Sequence, residues 1–486
     1  MGSLNSDSSP SGSLDTGIGI DFGTSNSAAA IFDGKTITLV RLEQDNPIMP
    51  SASYIDRDFI TCTGQEAIDT YIARNQGRKV EMSVEVIGEA RSSTGQMDMA
   101  TQLPMEADTS VVYGQAFNDG SLPGRLFRGT KRLLGSADIQ RIMIFDRPFR
   151  LVALITPILL RIKQTIENTV REMSGTQVQV SRACIGHPVN FEGREEDHNT
   201  VALDRLSEAY RHAGITRQSF YPEPTAAALS FLHTNPGERS NVIMTVDFGG
   251  GTLDLCILRR NAVFFDVIAI HGVSLGGDHI DQSMFRHILF PLLGKGERWR
   301  REIEGKEVET LFPFEAYADL LINWTVSYML NQNEYTTPVL DKMRQGGPGV
   351  EKFERLYEMI TQNYSYQVFQ AIKDCKAALS IADAAVLDIP EIDVEVKITR
   401  PGFETMIADL LVKFEEAVDE TLARSGLARE DIQLVLRTGG SSLIPAVRDI
   451  LELRFPGKVV EHDPFTSVAA GLAIADFFNR GSTLTA

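Results

Sequence analysis

Two segments of one design constrain this chain more than anything else in it. The first reads Ile18-Gly19-Ile20-Asp21-Phe22-Gly23-Thr24-Ser25-Asn26-Ser27, and the second Val246-Asp247-Phe248-Gly249-Gly250-Gly251-Thr252-Leu253-Asp254-Leu255. Each runs apolar strand, Asp, Phe, Gly, Thr and a second apolar stretch, the pattern of a strand that turns tightly and returns as its antiparallel neighbour. Without a Cβ, glycine lets the backbone come close to a ligand, so successive N–H groups can point at phosphate oxygens as an anion nest. The hydroxyls of Thr24, Ser25 and Thr252 add donors. Asp21 and Asp247 would repel phosphate directly, so the role that fits them is to hold a hydrated Mg²⁺, an ion that keeps several of its waters. For either segment alone, a buried hairpin with turn glycines is the plainer alternative. The recurrence of Asp-Phe-Gly within one chain favours a shared phosphate site.

At 486 residues the chain exceeds one ordinary core, and two or more domains are expected. Its formal net charge of -18 disfavours nucleic acid and anionic lipid as partners. Cys62, Cys184, Cys256 and Cys375 are scattered without a CxxC pair, which predicts neither a zinc site nor a disulfide framework and fits a reducing, cytoplasmic compartment. The most apolar run, Leu151 to Leu160, is too short to span a bilayer and contains Pro157, so no integral membrane segment is expected. Residues 1–16, rich in Ser with Gly and Pro, read as a disordered tail. Their Met1-Gly2-Ser3-Leu4-Asn5-Ser6 start fits the loose myristoylation pattern, at a length where coincidence is common.

Along the chain, the first hairpin is followed by a third alternating stretch at Lys35 to Leu42, then by mixed sequence to about Arg147 whose most polar part is roughly Gly77 to Gly120. Periodicity predicts a helix at Phe149 to Glu172, a strand at Val178 to Gly186, a helix at Asn199 to Ala213, a strand ending at Pro222 and a helix at Thr225 to His233. The theme restarts at Asn241, so the chain is in outline an internal duplication. Its second half carries an excursion at Phe285 to Ser380, helical by periodicity. Strands near Ala385 to Thr399, a helix at Phe403 to Ser425, a strand at Leu434 to Arg437, a helix from Ile444 and a helix at Pro464 to Phe478 follow. Ala226, Ala227 and Ala228 on one helix and Ala469, Ala470 and Gly471 on another let two helices approach closely where the halves cross. A hinge and ordinary tight packing are equally consistent with this.

The order of these motifs resembles the actin, hexokinase and DnaK superfamily, and within it the ATPase domain of DnaK-type heat-shock chaperones. Five segments carry the resemblance: IGIDFGTSNS, PEPTAAAL, VDFGGGTLDL, LRTGGSSLIP and SVAAGLAI, with further matches at Thr130-Lys131-Arg132-Leu133-Leu134-Gly135, Leu275-Gly276-Gly277-Asp278, Gly186-His187-Pro188-Val189-Asn190-Phe191 and Ile398-Thr399-Arg400. The chain is most similar to YegD-type DnaK homologues, which show the same Gly-x-Pro-x-Asn-Phe form and lack the peptide-binding half. Stopping soon after SVAAGLAI, it is likewise expected to carry no interdomain linker, β-sandwich or lid, and not to clamp unfolded peptides.

The resemblance implies an α/β actin-like ATPase fold: two duplicated lobes of mixed five-stranded sheet and helices around a nucleotide cleft, each with a peripheral subdomain. Lobe I would be 17–236, with its core at 17–44 and 146–236 and its periphery at 45–145. Lobe II would be 237–480, with its core at 237–284 and 386–480 and a helical periphery at 285–385; 481–486 would be a tail. It implies that Asp21 and Asp247 hold the metal's water shell, that Glu223 orients metal or water, that Thr252 meets the γ-phosphate and that Lys131 stabilises the attacking water and the transferred phosphoryl. For Lys131 the alternative is a solvated residue on an amphipathic segment. Asp254 would accept from Thr252 or water, and Pro188 would correspond to the backbone switch of the chaperones. ATP or ADP would be bound by Gly23, Thr24, Ser25, Asn26, Gly249, Gly250, Gly251, Thr252, Gly276, Gly277, Lys376, Ser380, Gly439, Gly440 and Ser441.

Two departures stand out. The chaperones sandwich adenine between two arginines, and the aligned positions here are Ala377 and Leu443. Each lost contact is worth on the order of 1 kcal/mol, so nucleotide identity is less determined than phosphate binding. The expected function is a slow Mg-dependent ATPase acting as a chaperone-like or regulatory module, with a co-chaperone or client protein as partner. A small-molecule kinase, an actin-like filament protein and a non-hydrolysing scaffold of the same fold are the rivals. The histidines, His187, His271 and His279 among them, show no metal-like spacing.

Overall fold

The computed structural model describes residues 16–80, 82–83, 86–92, 108–113, 118–119, 121–193, 195–261, 264–303 and 305–479. The two tails, apart from Thr16, and much of the polar stretch 77–120 lie outside the described residues.

The first hairpin forms from Gly17–Phe22 and Asn26–Phe32, paired antiparallel from Gly17 opposite Phe32 to Phe22 opposite Ser27, which leaves Gly23, Thr24 and Ser25 in the turn. Arg182–His187 pairs parallel with its first strand, and Arg217–Pro222 parallel with that. Ile37–Leu39 closes the other side antiparallel. The second half repeats this plan. Val242–Phe248 pairs antiparallel with Leu253–Asn261, which pairs antiparallel with Phe264–Val273. On its other side lie Leu434–Thr438 and Val459–Glu461, both parallel. Each sheet is therefore three antiparallel strands followed by two parallel ones in the same spatial order, and the duplication holds at the level of topology. Lobe I departs from the expected five strands by a short sixth, Met49–Pro50, which pairs with the start of Asn26–Phe32.

The first strand is apolar on its core face because Ile18, Ile20 and Phe22 pack under the helices Leu151–Ser174 and His198–His212. In the second sheet Phe248 stacks on Phe414 of the helix Ala408–Ser425, with ring centroids 5.5 Å apart. The remaining sheet faces meet two helices, Glu223–Thr234 and Ser467–Phe477, which cross between the halves. A Cβ placed on Gly471 would overlap the Ala226 carbonyl, so these backbones touch as the small residues predict.

Several boundaries differ from expectation for local reasons. The strand expected from Val178 begins at Arg182. The helix expected from Pro464 begins at Ser467, because the Asp463 carboxylate accepts from the N–H groups of Phe465 and Thr466 and holds them in a turn. The helix at Phe403 to Ser425 is two, Arg400–Met406 and Ala408–Ser425, broken at Ile407. The excursion expected to be helical contains a β-hairpin, Arg298–Ile303 with Lys306–Leu311. Gly305 turns it at φ 74°, and the cross-strand pairs Arg298–Glu309 and Arg300–Glu307 flank it.

The peripheral parts of the two halves meet above the cleft. The Tyr71 hydroxyl donates to the Thr325 carbonyl at 2.8 Å, and the Asn331 side-chain amide donates to the Arg78 carbonyl at 2.7 Å. Among the described residues no helix is long and apolar enough to cross a membrane, and all four cysteines are free.

Candidate phosphate and metal site

Both hairpin turns open on one cavity of about 460 Å³. Its walls include Asp21, Gly23, Thr24, Ser25, Asn26, Lys131, Glu223, Asp247, Gly249, Gly250, Gly251, Thr252, Asp254, Gly439 and Gly440, so most of the expected site residues converge there. The second turn is braced from behind. Its Gly249 carbonyl accepts from the Ser441 hydroxyl and from the Gly277 N–H, both at 3.0 Å, and its Gly250 carbonyl accepts from the Asp278 N–H at 2.7 Å. In a planar trans peptide the next N–H points the opposite way. The N–H groups of Gly250 and Gly251 are thus turned away from the brace, and among the described residues neither meets a protein acceptor. That is the arrangement an anion nest requires.

Gly276, Gly277, Lys376 and Ser441 belong to this bracing layer. Lys376 lies on the helix Ser365–Ile381; its ammonium donates to the Gly277 carbonyl at 3.2 Å and pairs with buried Asp281 at 2.6 Å. Ser380 instead donates to the Lys376 carbonyl within the helix. Ala377 is exposed on that helix and Leu443 is half-buried at the end of the turn Gly440–Leu443. Gly439 takes φ 78°, and a Cβ there would overlap the Asp247 carboxylate and the Phe248 carbonyl.

Asp21, Lys131, Glu223, Asp247 and Asp254 form one cluster of largely buried charge on the cavity wall. Lys131, in a short turn of 3₁₀-helix at Thr130–Leu133, is only 6% exposed and meets Glu223 at 2.5 Å. It is not a solvated surface residue. Burial alone would lower its ammonium, but Glu223 and then Asp21 more than reverse this and hold it above its ordinary value. Burial, then Glu223, pushes the Asp21 carboxyl up to about 7, against the pull of Lys131. Asp247 is pushed up to about 8 by burial and then by Asp254. Burial also raises Asp254 to about 6, although its carboxylate accepts from the Thr252 hydroxyl at 2.9 Å. Four carboxylates thus face one ammonium, an imbalance a divalent cation would relieve. Among the described residues no group of three or more His, Cys, Asp or Glu is gathered closely enough to ligate an ion directly. The chemistry of this all-carboxylate oxygen donor set suits a hard cation such as Mg²⁺, which commonly keeps several of its waters.

Arg132, Glu192 and Phe465 are among the lining residues that the sequence had not assigned to the site. Arg132 donates to Glu192 at 2.7 Å and, across the cleft, to the Ser274 hydroxyl at 3.2 Å. Its place beside Lys131 was the available signal. Glu192 and Phe465 carried none. His187 is half-buried and its imidazole is held below its ordinary value chiefly by desolvation; its Nδ1 lies 2.7 Å from the Pro188 carbonyl.

The profile of the Hsp70 protein family matches residues 141–295 and 351–482, more than half of the chain; the first hairpin lies outside those segments. The chain is 24% identical over 484 residues to Heat shock 70 kDa protein BIP3 of Oryza sativa subsp. japonica, covering 96% of this chain and 57% of the rice protein. It is 23% identical over 460 residues to Chaperone protein DnaK of Mycoplasma mobile, covering 94% of this chain and again 57% of the relative. The chain thus spans little more than half the length of these relatives. With the duplicated sheets and their paired turns already in view, the match is decisive at the level of family: the chain belongs to the Hsp70 family and has its actin-like fold.

Proposed function

We propose that the chain binds Mg·ATP between the two hairpin turns and hydrolyses it slowly to ADP and phosphate, serving as a nucleotide-gated, chaperone-like or regulatory module. The observation that carries this reading is the convergence of both Asp-Phe-Gly turns on one cavity with Lys131 and Glu223 between them. The free N–H groups of Gly250 and Gly251 and the hydroxyls of Thr24, Ser25 and Thr252 bind and orient the phosphates. Asp21 and Asp247 hold the water shell of a Mg²⁺, which when bound neutralises charge on the phosphate chain. Lys131 donates towards the attacking water and the developing charge on the phosphoryl, and Glu223 keeps that ammonium charged and aimed. Phosphoryl transfer to water needs alignment and electrostatic stabilisation rather than a covalent intermediate. With Ala377 and Leu443 where arginine faces would flank an adenine, affinity rests on the phosphates and the metal more than on the base. A co-chaperone or client protein is the partner such a module would serve, and four free thiols fit a reducing, cytoplasmic setting.

Calorimetric titration of Mg·ATP, with and without chelator, tests the site. Asp21→Asn and Asp247→Asn are each expected to weaken the Mg-dependent part of binding by about tenfold or more, the scale of a lost charged contact. Two variants that titrate like the unaltered protein would show that the site is misplaced.

A further inference from the structure

Next to the phosphate turns, and continuous with them through Thr24, Ser25 and Gly251, a second cavity of about 880 Å³ opens between the peripheral parts of the two halves. Its volume is in the range of small-molecule pockets, which run to roughly 1,000 Å³. Two cations reach it from opposite sides. Arg128 ends the strand Gly124–Arg128 of the first half, and Lys373 lies one helical turn before Lys376 on the helix Ser365–Ile381 of the second.

Neither cation forms an ion pair among the described residues. The Arg128 guanidinium stands over the Trp324 ring at 5.3 Å, and its buried Nε has no acceptor. Among the described residues no carboxylate lies within 4.0 Å of Arg128 or Lys373. Of the five carboxylates on the cavity wall, Glu192 pairs with Arg132 at 2.7 Å and Asp281 with Lys376 at 2.6 Å, while Asp138, Glu195 and Asp278 form no ion pair among the described residues. Asp278, exposed at the rim, acts on both cations only from longer range. Arg128 and Lys373 line the same cavity, and burial, then the charge of Arg128, holds the Lys373 ammonium below its ordinary value. Two like charges from separate halves, one with an unpaired buried donor, thus stand on one cavity without a carboxylate in direct contact with either. A guanidinium fork can engage two oxygens of a carboxylate or phosphate and an ammonium a third. Ile322, Trp324 and Phe369 offer an apolar wall for the rest of the ligand.

We propose that Arg128 and Lys373 clamp the phosphate or carboxylate group of a second small molecule, bound beside the nucleotide at the mouth of the cleft. The placement beside a nucleotide and the coupling to it rest on the proposed nucleotide site; the anion clamp does not need it. Because the cations come from opposite halves, the anion binds best when the halves are together, so it and the nucleotide should strengthen one another's binding.

The test uses inorganic phosphate as probe, titrated into protein saturated with Mg²⁺ and a non-hydrolysable ATP analogue, so that the γ-phosphate position is already filled. The unaltered protein should take up one further phosphate. Arg128→Gln and Lys373→Gln should each weaken that uptake by about tenfold or more, the scale of a charge-assisted contact, with the analogue's own affinity changed by no more than about twofold. Arg128→Lys should recover part of the loss. No further uptake by the unaltered protein, undiminished uptake by the double variant, or one-for-one competition with the analogue would overturn the proposal. Should the variants misfold, chemical modification of the unaltered protein decides instead: phosphate should shield Arg128 from phenylglyoxal and Lys373 from acylation, and an absence of shielding would overturn the clamp. If the analogue itself fails to bind, the nucleotide reading falls, and the same titration without it still judges the clamp through the two variants.

Discussion

Lys131 keeps its proton although buried because Glu223 and Asp21 lie beside it, and the same contacts set what its removal does. Lys131→Ala takes a positive charge from the phosphoryl end of the cavity while leaving the turns and the two aspartates in place. Hydrolysis is expected to fall by about 10²–10³, the cost of one preorganised donor at a transition state, while the dissociation constant for Mg·ATP, read by calorimetry, changes by less than about threefold, because most of the ligand contacts remain. Equal losses in rate and affinity would mark Lys131 as an ordinary phosphate ligand. The carboxylates give a pH signature. Asp21 and Asp247 are pushed up to about 7 and about 8, so above roughly pH 4 the folded chain holds protons that the unfolded chain has released. Stability contributed by these groups is therefore greatest in acid and declines as pH rises through about 7 and 8. Thermal melts in chelator should show a higher midpoint at mildly acidic than at mildly alkaline pH, Mg²⁺ should restore the alkaline value, and the slope should flatten in Asp21→Asn/Asp247→Asn. An unchanged slope in that double variant would place its origin elsewhere. Asp21, Asp247, Lys131 and Glu223 could be picked out one by one from the sequence as candidates for one site; their electrostatics, set by burial, could not.

At the scale of elements, the hairpins and their turns were legible because a strand, a glycine turn and a returning strand are local patterns. The hairpin at Arg298–Leu311 was hidden for the opposite reason: its alternation is written mostly in charges paired across strands, which look like a solvated helix when read along the chain. The helix pair at the crossing was foreseen from its small residues, and its closeness makes a sharp prediction. Gly471→Ala gains about 1 kcal/mol of helix propensity. Against this, the added methyl meets the backbone carbonyl of Ala226, which cannot swing aside as a side chain would. Overpacking of this kind costs about 1–3 kcal/mol, so denaturant unfolding should show net destabilisation. A more stable variant would mean that the two helices slide apart easily, contrary to the contact described.

For the whole molecule, the charges across the cleft suggest what opens and closes it. Asp21 and Glu223 come from the first half, Asp247 and Asp254 from the second, and they repel one another across the gap. Rim contacts such as Tyr71 to Thr325 and Arg132 to Ser274 oppose that repulsion. A cation and phosphates touched by both turns favour the closed arrangement over an open one. Small-angle scattering should give a smaller radius of gyration with Mg·ATP than in chelator, and hydrogen exchange should slow around Tyr71 and Thr325; identical profiles would indicate a static scaffold. The repeated strand-turn-strand unit, the close helix crossing and the residue types able to meet phosphate and metal could be read along the chain, because each is encoded by near neighbours in it. Folding in three dimensions was needed to bring Lys131 to Glu223, to gather four carboxylates on one cavity and to set Arg128 and Lys373 on the wall of another without an ion pair. Those outcomes depend on burial and on segments far apart in the chain being packed together, and no local pattern carries that information.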